Sequence, residues 1–131
     1  DLDRLLETAA VVPHVNQILV HAGNTPAPLL DYCAEREILV EAYSPIAHGA
    51  ILDNAEVGAM AQRYGVTVPQ LCIRYTLQLG TVSLPKTANP DHMRSNAQVD
   101  FEISEPDMAV LKDLHDQDYG EHAAFPVYSG V

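Results

Sequence analysis

The sequence predicts an α/β fold built on a parallel sheet, because short apolar strands alternate with amphipathic helices along the chain. Three apolar or β-branched runs have the length of strands, over residues 15–20, 38–43 and 81–84. Each run is followed by a segment of helical periodicity, and strands joined through helices run parallel with right-handed crossovers. The chain has 131 residues, of which 47% are hydrophobic, and this is sufficient for one domain with a substantial core.

Six helices are predicted, over residues 1–10, 26–36, 54–64, 68–79, 90–97 and 105–115. Thr25 has the side chain of an N-cap residue for the second helix, and Gly65 and Gly80 end the third and fourth. Ser104 and Asp107 have the spacing of a capping box at the start of the last helix. Residues 116–131 show no periodicity, and we expect an irregular C-terminal tail there.

A sheet of three parallel strands leaves two edges open, and open apolar edges favour unwanted pairing. The sheet is therefore completed elsewhere or belongs to a larger α/β barrel. The chain has no initiator Met, and its first residues, from Asp1 to Leu6, already follow a helical pattern. This start favours the barrel, and it predicts that the chain is an excerpt from a longer protein.

The charge of the chain excludes several classes of partner. Seven Lys and Arg residues stand against 18 Asp and Glu, which gives a net charge of −11. Neither nucleic acid nor an acidic membrane surface suits such a protein, whereas a small anion in a local basic pocket does. No signal peptide or long apolar span is visible, and Cys33 and Cys72 have no metal-type spacing. We expect a cytoplasmic protein with buried thiols.

The scarce cations gather in one window, residues 83–96, where an apolar strand meets a Pro-Lys-Thr turn. Lys86 precedes the helix that Pro90 opens, and this helix carries His92 and Arg94. Backbone N–H groups at a helix start attract anions, and nearby cations strengthen the attraction. The window is therefore the predicted place for a phosphate group.

Five segments, in order and at matching spacings, resemble the aldo-keto reductase family. They are Val15-Asn16-Gln17, Ala42-Tyr43-Ser44-Pro45-Ile46, residues 64–75, Leu84-Pro85-Lys86-Thr87 with Asn96, and residues 100–108. The resemblance implies a (β/α)8 TIM barrel in which the three strands are the sixth, seventh and eighth, so that residues 1–131 form its C-terminal portion. It also implies the NAD(P)H-dependent reduction of aldehydes and ketones to alcohols.

By this resemblance, residues on the first two strands and in the loop after the second hold the nicotinamide half of the cofactor. Gln17 is expected beside the nicotinamide amide, with which its own amide can pair. Tyr43 is expected to stack on the nicotinamide ring, to which an aromatic face offers a large contact area. The resemblance further implies a pyrophosphate loop formed by Ser44, Pro45 and Ile46.

The third strand and its helix are implied to hold the adenosine half. Lys86 and Thr87 would contact the phosphate-bearing ribose, and Asn96 would contact adenine. His92 stands where many NADPH-preferring members carry Arg, and Arg94 falls on a different face of the helix. Because a neutral His holds a 2′-phosphate less firmly than a guanidinium does, NADPH is the first choice and NADH stays open.

The family's catalytic Tyr, Lys, Asp and His belong to the first half of the barrel, and none of their motifs occurs in this chain. The chain alone is therefore predicted to be inactive, with the N-terminal part of the barrel as its partner. The alternatives are a non-catalytic nucleotide-sensing or partner-binding module and an inert truncation product. Tyr119, Phe125 and Tyr128 in the tail are expected either to wall the substrate pocket or to pack on the barrel rim. The carbonyl substrate itself is not specified.

Several polar residues keep two interpretations. His21 and His48 lie in strand-top loops, where they either approach a ligand or serve the structure. Glu41 interrupts an apolar strand and predicts a partner, either Arg74 or a backbone donor. No metal is predicted, because no His and carboxylate share a ligand-type spacing.

Overall fold

A three-stranded parallel sheet forms the centre of the protein. The computed structural model describes residues 1–115. The strands are β1 (Val15–Leu19), β2 (Leu39–Tyr43) and β3 (Val82–Leu84), in the order β1-β2-β3, and both pairings are parallel. The predicted α/β class and its parallel sheet are therefore confirmed.

Six α-helices lie within residues 1–115, and each strand is followed by at least one of them. They are α1 (Leu2–Leu6), α2 (Ala27–Glu35), α3 (Ala55–Tyr64), α4 (Val68–Gln78), α5 (Pro90–Asn96) and α6 (Glu105–Asp113). Two 3-10 turns over Ala47–Asp53, joined at a kink, lead from β2 to α3. No helix in this part of the chain is long and apolar enough to cross a membrane.

The ends of α3 and α4 are set by side chains that satisfy free backbone groups. The Asn54 side chain accepts hydrogen bonds from two N–H groups in the first turn of α3, and Gly65 ends that helix with a φ of 66°. Thr67 and Gln70 form a capping box at the start of α4. These local signals explain why the predicted bounds of both helices agree with the structure to within one residue.

Three local predictions are wrong. Thr25 does not cap α2, because its hydroxyl lies 2.6 Å from the hydroxyl of Tyr75 and Pro26 occupies the N-cap position. The first helix spans only Leu2–Leu6 rather than residues 1–10, and it buries none of its residues, so no packing supports a longer helix. The loop after β2, in which no helix was expected, contains the two 3-10 turns.

The two faces of the sheet are unequally covered. Val40 and Ala42 point to the face that packs against α2, in a cluster that also buries Val20, Cys33 and Ile38. On the opposite face, at the start of the strands, Val15, Leu39 and Val82 expose 43%, 46% and 38% of their surface. We call these three residues the open face.

A second apolar cluster joins α3, α4 and α6 and supports the loop after β2. Tyr75 and Leu71 of α4, Ile51 of the 3-10 turns and Leu111 of α6 are fully buried in it. Tyr43 packs against the same cluster. The expected tail, residues 116–131, with its candidate substrate residues Tyr119, Phe125 and Tyr128, lies outside the described residues.

Candidate cofactor site

The carboxyl ends of all three strands meet at one edge of the sheet, because the strands run parallel. Tyr43 ends β2, and the Pro-Lys-Thr turn follows Leu84 at the end of β3. In parallel α/β folds and barrels, this edge is where ligands bind. Tyr43 and the residues from Lys86 onward therefore lie at the end of the sheet where a binding site is expected, whereas Gln17 lies in the middle of β1.

The loop after β2 has an unusual backbone conformation. Ser44, Ala47 and His48 have φ values of 51°, 48° and 53°, in the left-handed region that residues with a Cβ rarely adopt. The turn is closed by a hydrogen bond of 2.9 Å from the Ala47 N–H to the Ser44 carbonyl. Pro45 is buried, and Ile46 is half-buried. Backbone strain of this kind concentrates at ligand-binding loops.

The turn after β3 leads directly into α5. The Thr87 hydroxyl accepts a hydrogen bond of 3.1 Å from the Asn89 N–H, and the Asn89 side chain in turn caps the helix through the Asp91 N–H. These bonds fix where α5 begins. They thereby place His92 and Asn96 one turn apart, on the side of the helix that faces the loop after β2.

A cavity of about 290 Å³ lies between these segments. Five of its lining residues are predicted cofactor residues: Ile46, Lys86, Thr87, His92 and Asn96. Sequence reasoning missed three others, Thr67, Pro69 and Ser95. Ser95 had a usable signal, since it is three residues after His92 on the same helical face. Thr67 and Pro69 had none, because their pattern indicates only a helix start.

Lys86 carries the positive charge of this cavity. Its side chain is exposed, and within residues 1–115 its ammonium group has no ion pair or hydrogen bond. Arg94 does not line the cavity and is paired with Asp91 at 2.6 Å. An uncompensated ammonium in a chain of net charge −11 is a strong local attraction for an anion.

Gln17 and Tyr43 lie outside this cavity, on the same sheet face as the open face. The Gln17 side chain donates a hydrogen bond of 2.9 Å from Nε2 to Oε2 of Glu41, directly across from it on β2. Tyr43 is half-buried at the end of β2, and burial raises the pKa of its hydroxyl. Tyr43 pairs with Leu19, two residues beyond Gln17 on the same face of the sheet.

The expected partner of Glu41 is corrected by this contact. Arg74 does not reach Glu41, since its Nε donates to Gln78 Oε1 at 2.9 Å and its guanidinium donates to the Val99 carbonyl at 3.4 Å. Arg74 thereby holds the segment between α5 and α6 against α4. Glu41 instead pairs with a neutral amide, which leaves its charge uncompensated by any cation in the part of the chain that the structure describes.

The two loop histidines differ in their surroundings. His21 is fully buried in the turn after β1, with Nδ1 2.7 Å from the Ala22 carbonyl, so it supports that turn rather than a ligand. His48 is half-buried in the strained loop after β2. Within residues 1–115, no three His, Cys, Asp or Glu side chains are grouped as a metal site would require.

Parallel strands with crossover helices and a cavity at their carboxyl ends define an α/β protein with a candidate ligand site at the strand ends. The aldo/keto reductase family model matches residues 1–116. The chain belongs to the aldo/keto reductase family.

Individual relatives agree with this assignment. An uncharacterized oxidoreductase of Schizosaccharomyces pombe is 40% identical over 110 residues, which cover 83% of this chain and 40% of that protein. Glyoxal reductase of Bacillus subtilis is 36% identical over 115 residues, covering 87% of this chain and 42% of the enzyme. The crystal structure of the Bombyx mori aldo-keto reductase AKR2E5 complexed with NADPH superposes with a TM-score of 0.81 at 32% identity, covering 99% of this chain and 46% of that one.

The chain spans about two fifths of the length of the curated relatives that it matches. Its fold matches the corresponding part of the aldo-keto reductase structures. The three strands and six helices described above are therefore a partial barrel.

Proposed function

We propose that this chain is the C-terminal, cofactor-binding portion of an NAD(P)H-dependent reductase that converts aldehydes or ketones to alcohols. The observation that carries the proposal is the convergence of Lys86, Thr87, His92 and Asn96 on one cavity. Family membership supports an oxidoreductase in general, and the AKR2E5 structure holds NADPH. By this proposal, the acid and the residues that assist it come from barrel segments outside these 131 residues.

The chemistry of the cavity fits the adenosine end of such a cofactor. Lys86 offers a point charge for a phosphate, and the hydroxyl of Thr87 offers a hydrogen bond beside it. Asn96 has both a donor and an acceptor for the edge of a base, while Ile46 and Pro69 provide apolar walls. The volume, about 290 Å³, is at the lower limit for ligand sites and suits one end of a dinucleotide rather than the whole molecule.

At the nicotinamide end, the residues of this chain orient the cofactor and do not react with the substrate. When bound, the cofactor supplies the hydride that reduces the carbonyl carbon. The Tyr43 ring would give the nicotinamide a flat apolar support, and the Gln17 amide would pair with its carboxamide. The loop that begins at Ser44, whose φ is 51°, would bring its backbone close to the pyrophosphate. Tyr43 is not assigned as the acid, because its proposed contact is with the ring face.

The cofactor preference rests on Lys86 and His92. Lys86 favours the 2′-phosphate of NADPH, and His92 contributes less to that phosphate than a guanidinium would. We therefore propose NADPH as the preferred cofactor, with NADH as the weaker alternative. Two buried, unpaired cysteines, Cys33 and Cys72, support a reducing compartment, and we propose the cytoplasm.

Equilibrium titration of the protein at its natural length with NADPH and with NADH tests the proposal directly. We expect tighter binding of NADPH, and a loss of about tenfold in NADPH affinity when Lys86 is replaced by Met, since a charge-assisted hydrogen bond is worth about 1.5–3 kcal/mol. NADH affinity should change little. The matched control is Lys112→Met, at the exposed end of α6.

The outcomes separate the candidate functions. If neither nucleotide binds, the cofactor-binding proposal is wrong and an inert truncation product remains. Equal affinities, or a preference for NADH, would overturn the choice of NADPH. An intact-mass measurement of the natural protein shows whether the polypeptide is 14.3 kDa or longer. We expect a 14.3 kDa chain not to reduce glyoxal with NADPH, and a longer polypeptide to reduce it. If the polypeptide binds a nucleotide but reduces no carbonyl, whether it is short or long, a nucleotide-sensing module would be favoured.

A further inference from the structure

Glu41 is the one acidic residue of strand β2, whose other residues are apolar or aromatic. It is half-buried, and within residues 1–115 it makes no ion pair. Its Oε2 accepts a hydrogen bond of 2.9 Å from Nε2 of Gln17. A partly buried carboxylate needs such a donor, so this contact couples the two side chains.

The contact fixes which way the Gln17 amide points. A side-chain amide carries a donor at one end and an acceptor at the other, and an ionised carboxylate only accepts. Nε2 must therefore face Glu41, and Oε1 must face away. The opposite rotation would place two acceptor oxygens against each other. Oε1 of Gln17 is therefore the atom of this amide that can accept a hydrogen bond from a ligand.

The direction of this acceptor matches the cofactor proposed above. Gln17 and Glu41 are directly opposite each other on neighbouring strands, and Tyr43 follows two residues after Glu41 on the same face. A carboxamide that lies beside the ring supported by Tyr43 offers both an NH₂ donor and a carbonyl acceptor. With Oε1 facing away from Glu41, Gln17 is set to accept from the NH₂ group.

We propose that Glu41 is a positioning residue that holds Gln17 in the rotamer that accepts a hydrogen bond from the nicotinamide carboxamide. This proposal rests on the proposed function. Glu41 itself touches neither cofactor nor substrate. It acts by making Gln17 an acceptor at a fixed place, so it selects cofactors whose ring carries an NH₂ donor.

The test compares NADP⁺ with its 3-acetylpyridine analogue, in which a methyl group replaces the carboxamide NH₂. Affinities are measured by equilibrium titration of the protein at its natural length. We expect wild type to bind NADP⁺ about fivefold more tightly than the analogue, as the loss of one hydrogen bond implies. In Glu41→Gln, the new amide can pair with Gln17 in either orientation of the Gln17 amide. The ratio of the NADP⁺ affinity to the analogue affinity should therefore fall toward one.

A second variant keeps the test decisive if Glu41→Gln folds poorly. Gln17→Ala should abolish the discrimination, and the Gln17→Ala, Glu41→Gln double variant should then show no further change. The exposed Glu102→Gln is the matched control and should keep the wild-type ratio. Far-ultraviolet circular dichroism checks that each variant is folded.

The results distinguish this proposal from the function on which it rests. No binding of either nucleotide by wild type would overturn the proposed function. Binding of both with equal affinity would leave that function standing but overturn the role of Gln17 as an acceptor. A ratio unchanged in Glu41→Gln, or a change caused by Glu41→Gln in the Gln17→Ala background, would overturn the positioning role of Glu41.

Discussion

Asp107 connects the start of α6 to the end of α3 through three side chains. Its carboxylate accepts hydrogen bonds from the Tyr64 hydroxyl at 2.6 Å, the Arg63 guanidinium at 2.5 Å and the Ser104 hydroxyl at 3.2 Å. The bond from Tyr64 is the main reason that the pKa of Asp107 is lowered, with smaller contributions from Ser104 and Arg63. The folded state therefore favours the ionised form of Asp107 more strongly than the unfolded chain does.

We predict that Asp107→Asn destabilises the protein in a pH-dependent way. Since the pKa is lower in the folded state, the stabilisation is fully present above the unfolded pKa of about 4 and is lost as the pH falls through the folded pKa. Urea unfolding should show a loss of about 1–2 kcal/mol at pH 7 and a smaller loss near pH 3. Asp100→Asn, exposed and outside this network, should have little effect at either pH. An equal loss at both pH values for Asp107→Asn would contradict the argument.

The partners of individual side chains were the feature hardest to predict from the sequence. Thr25 has the chemistry of a cap, but its hydroxyl meets Tyr75, 50 residues away. Glu41 and Arg74 have opposite charges, yet each takes a different partner. Such choices depend on which groups the fold brings within about 3 Å, and local patterns do not contain that information.

Among the elements, α3 shows how far local chemistry determines structure. Asn54 begins it, Gly65 ends it, and Gly58 lies inside it. A Cβ added at either glycine would meet no atom within 4 Å. The two positions therefore differ in backbone conformation alone, and Gly65 has the positive φ.

We predict opposite effects for Ala at these two glycines. Gly58→Ala should stabilise the protein by about 0.5–1 kcal/mol, because Ala loses less backbone entropy in a helix interior. Gly65→Ala should destabilise it by about 1 kcal/mol, because the left-handed conformation strains a residue with a Cβ. Thermal or urea unfolding of both variants measures this difference. Changes of the same sign would show that packing, rather than backbone conformation, decides the effect.

The bounds of elements whose ends carry strong sequence signals were predicted to within one or two residues, as α3, α4 and the strands show. The 3-10 turns were not predicted, because they depend on positive φ at Ala47 and His48, which no local residue pattern indicates. The sequence could group Lys86, Thr87, His92 and Asn96, which line one cavity, because they lie within one short window. Thr67 and Pro69 reach the same cavity only through the packing of α4.

At the scale of the whole molecule, the open face is the main departure from a self-contained domain. Leu39 is 46% exposed, whereas its neighbour Val40, on the other face of β2, is 5% exposed. In a complete barrel, the face that carries Leu39 would form part of the interior. The stability contribution of Leu39 should therefore depend on how much of the barrel the polypeptide contains.

We predict that Leu39→Ala costs about 1 kcal/mol in the 131-residue chain and about 2–5 kcal/mol in a polypeptide that completes the barrel. Val40→Ala is the control, with a cost of about 2 kcal/mol in both. Denaturant unfolding of each form measures these costs. A large cost for Leu39→Ala in the short chain would mean that the open face is already covered, and a dependence on protein concentration would identify a second copy as the cover.

The parallel pairing of the strands also makes the two sheet contacts unequal in loop-closure entropy. β1 and β2 join residues 24 positions apart in sequence, as in the Gln17–Glu41 pair. β2 and β3 pair residues roughly 40 positions apart, which costs about 0.5 kcal/mol more in loop-closure entropy. The costlier pairing is also the shorter one, because β3 has only three residues. The turn that carries Lys86 follows this strand, so its position depends on the costlier of the two contacts.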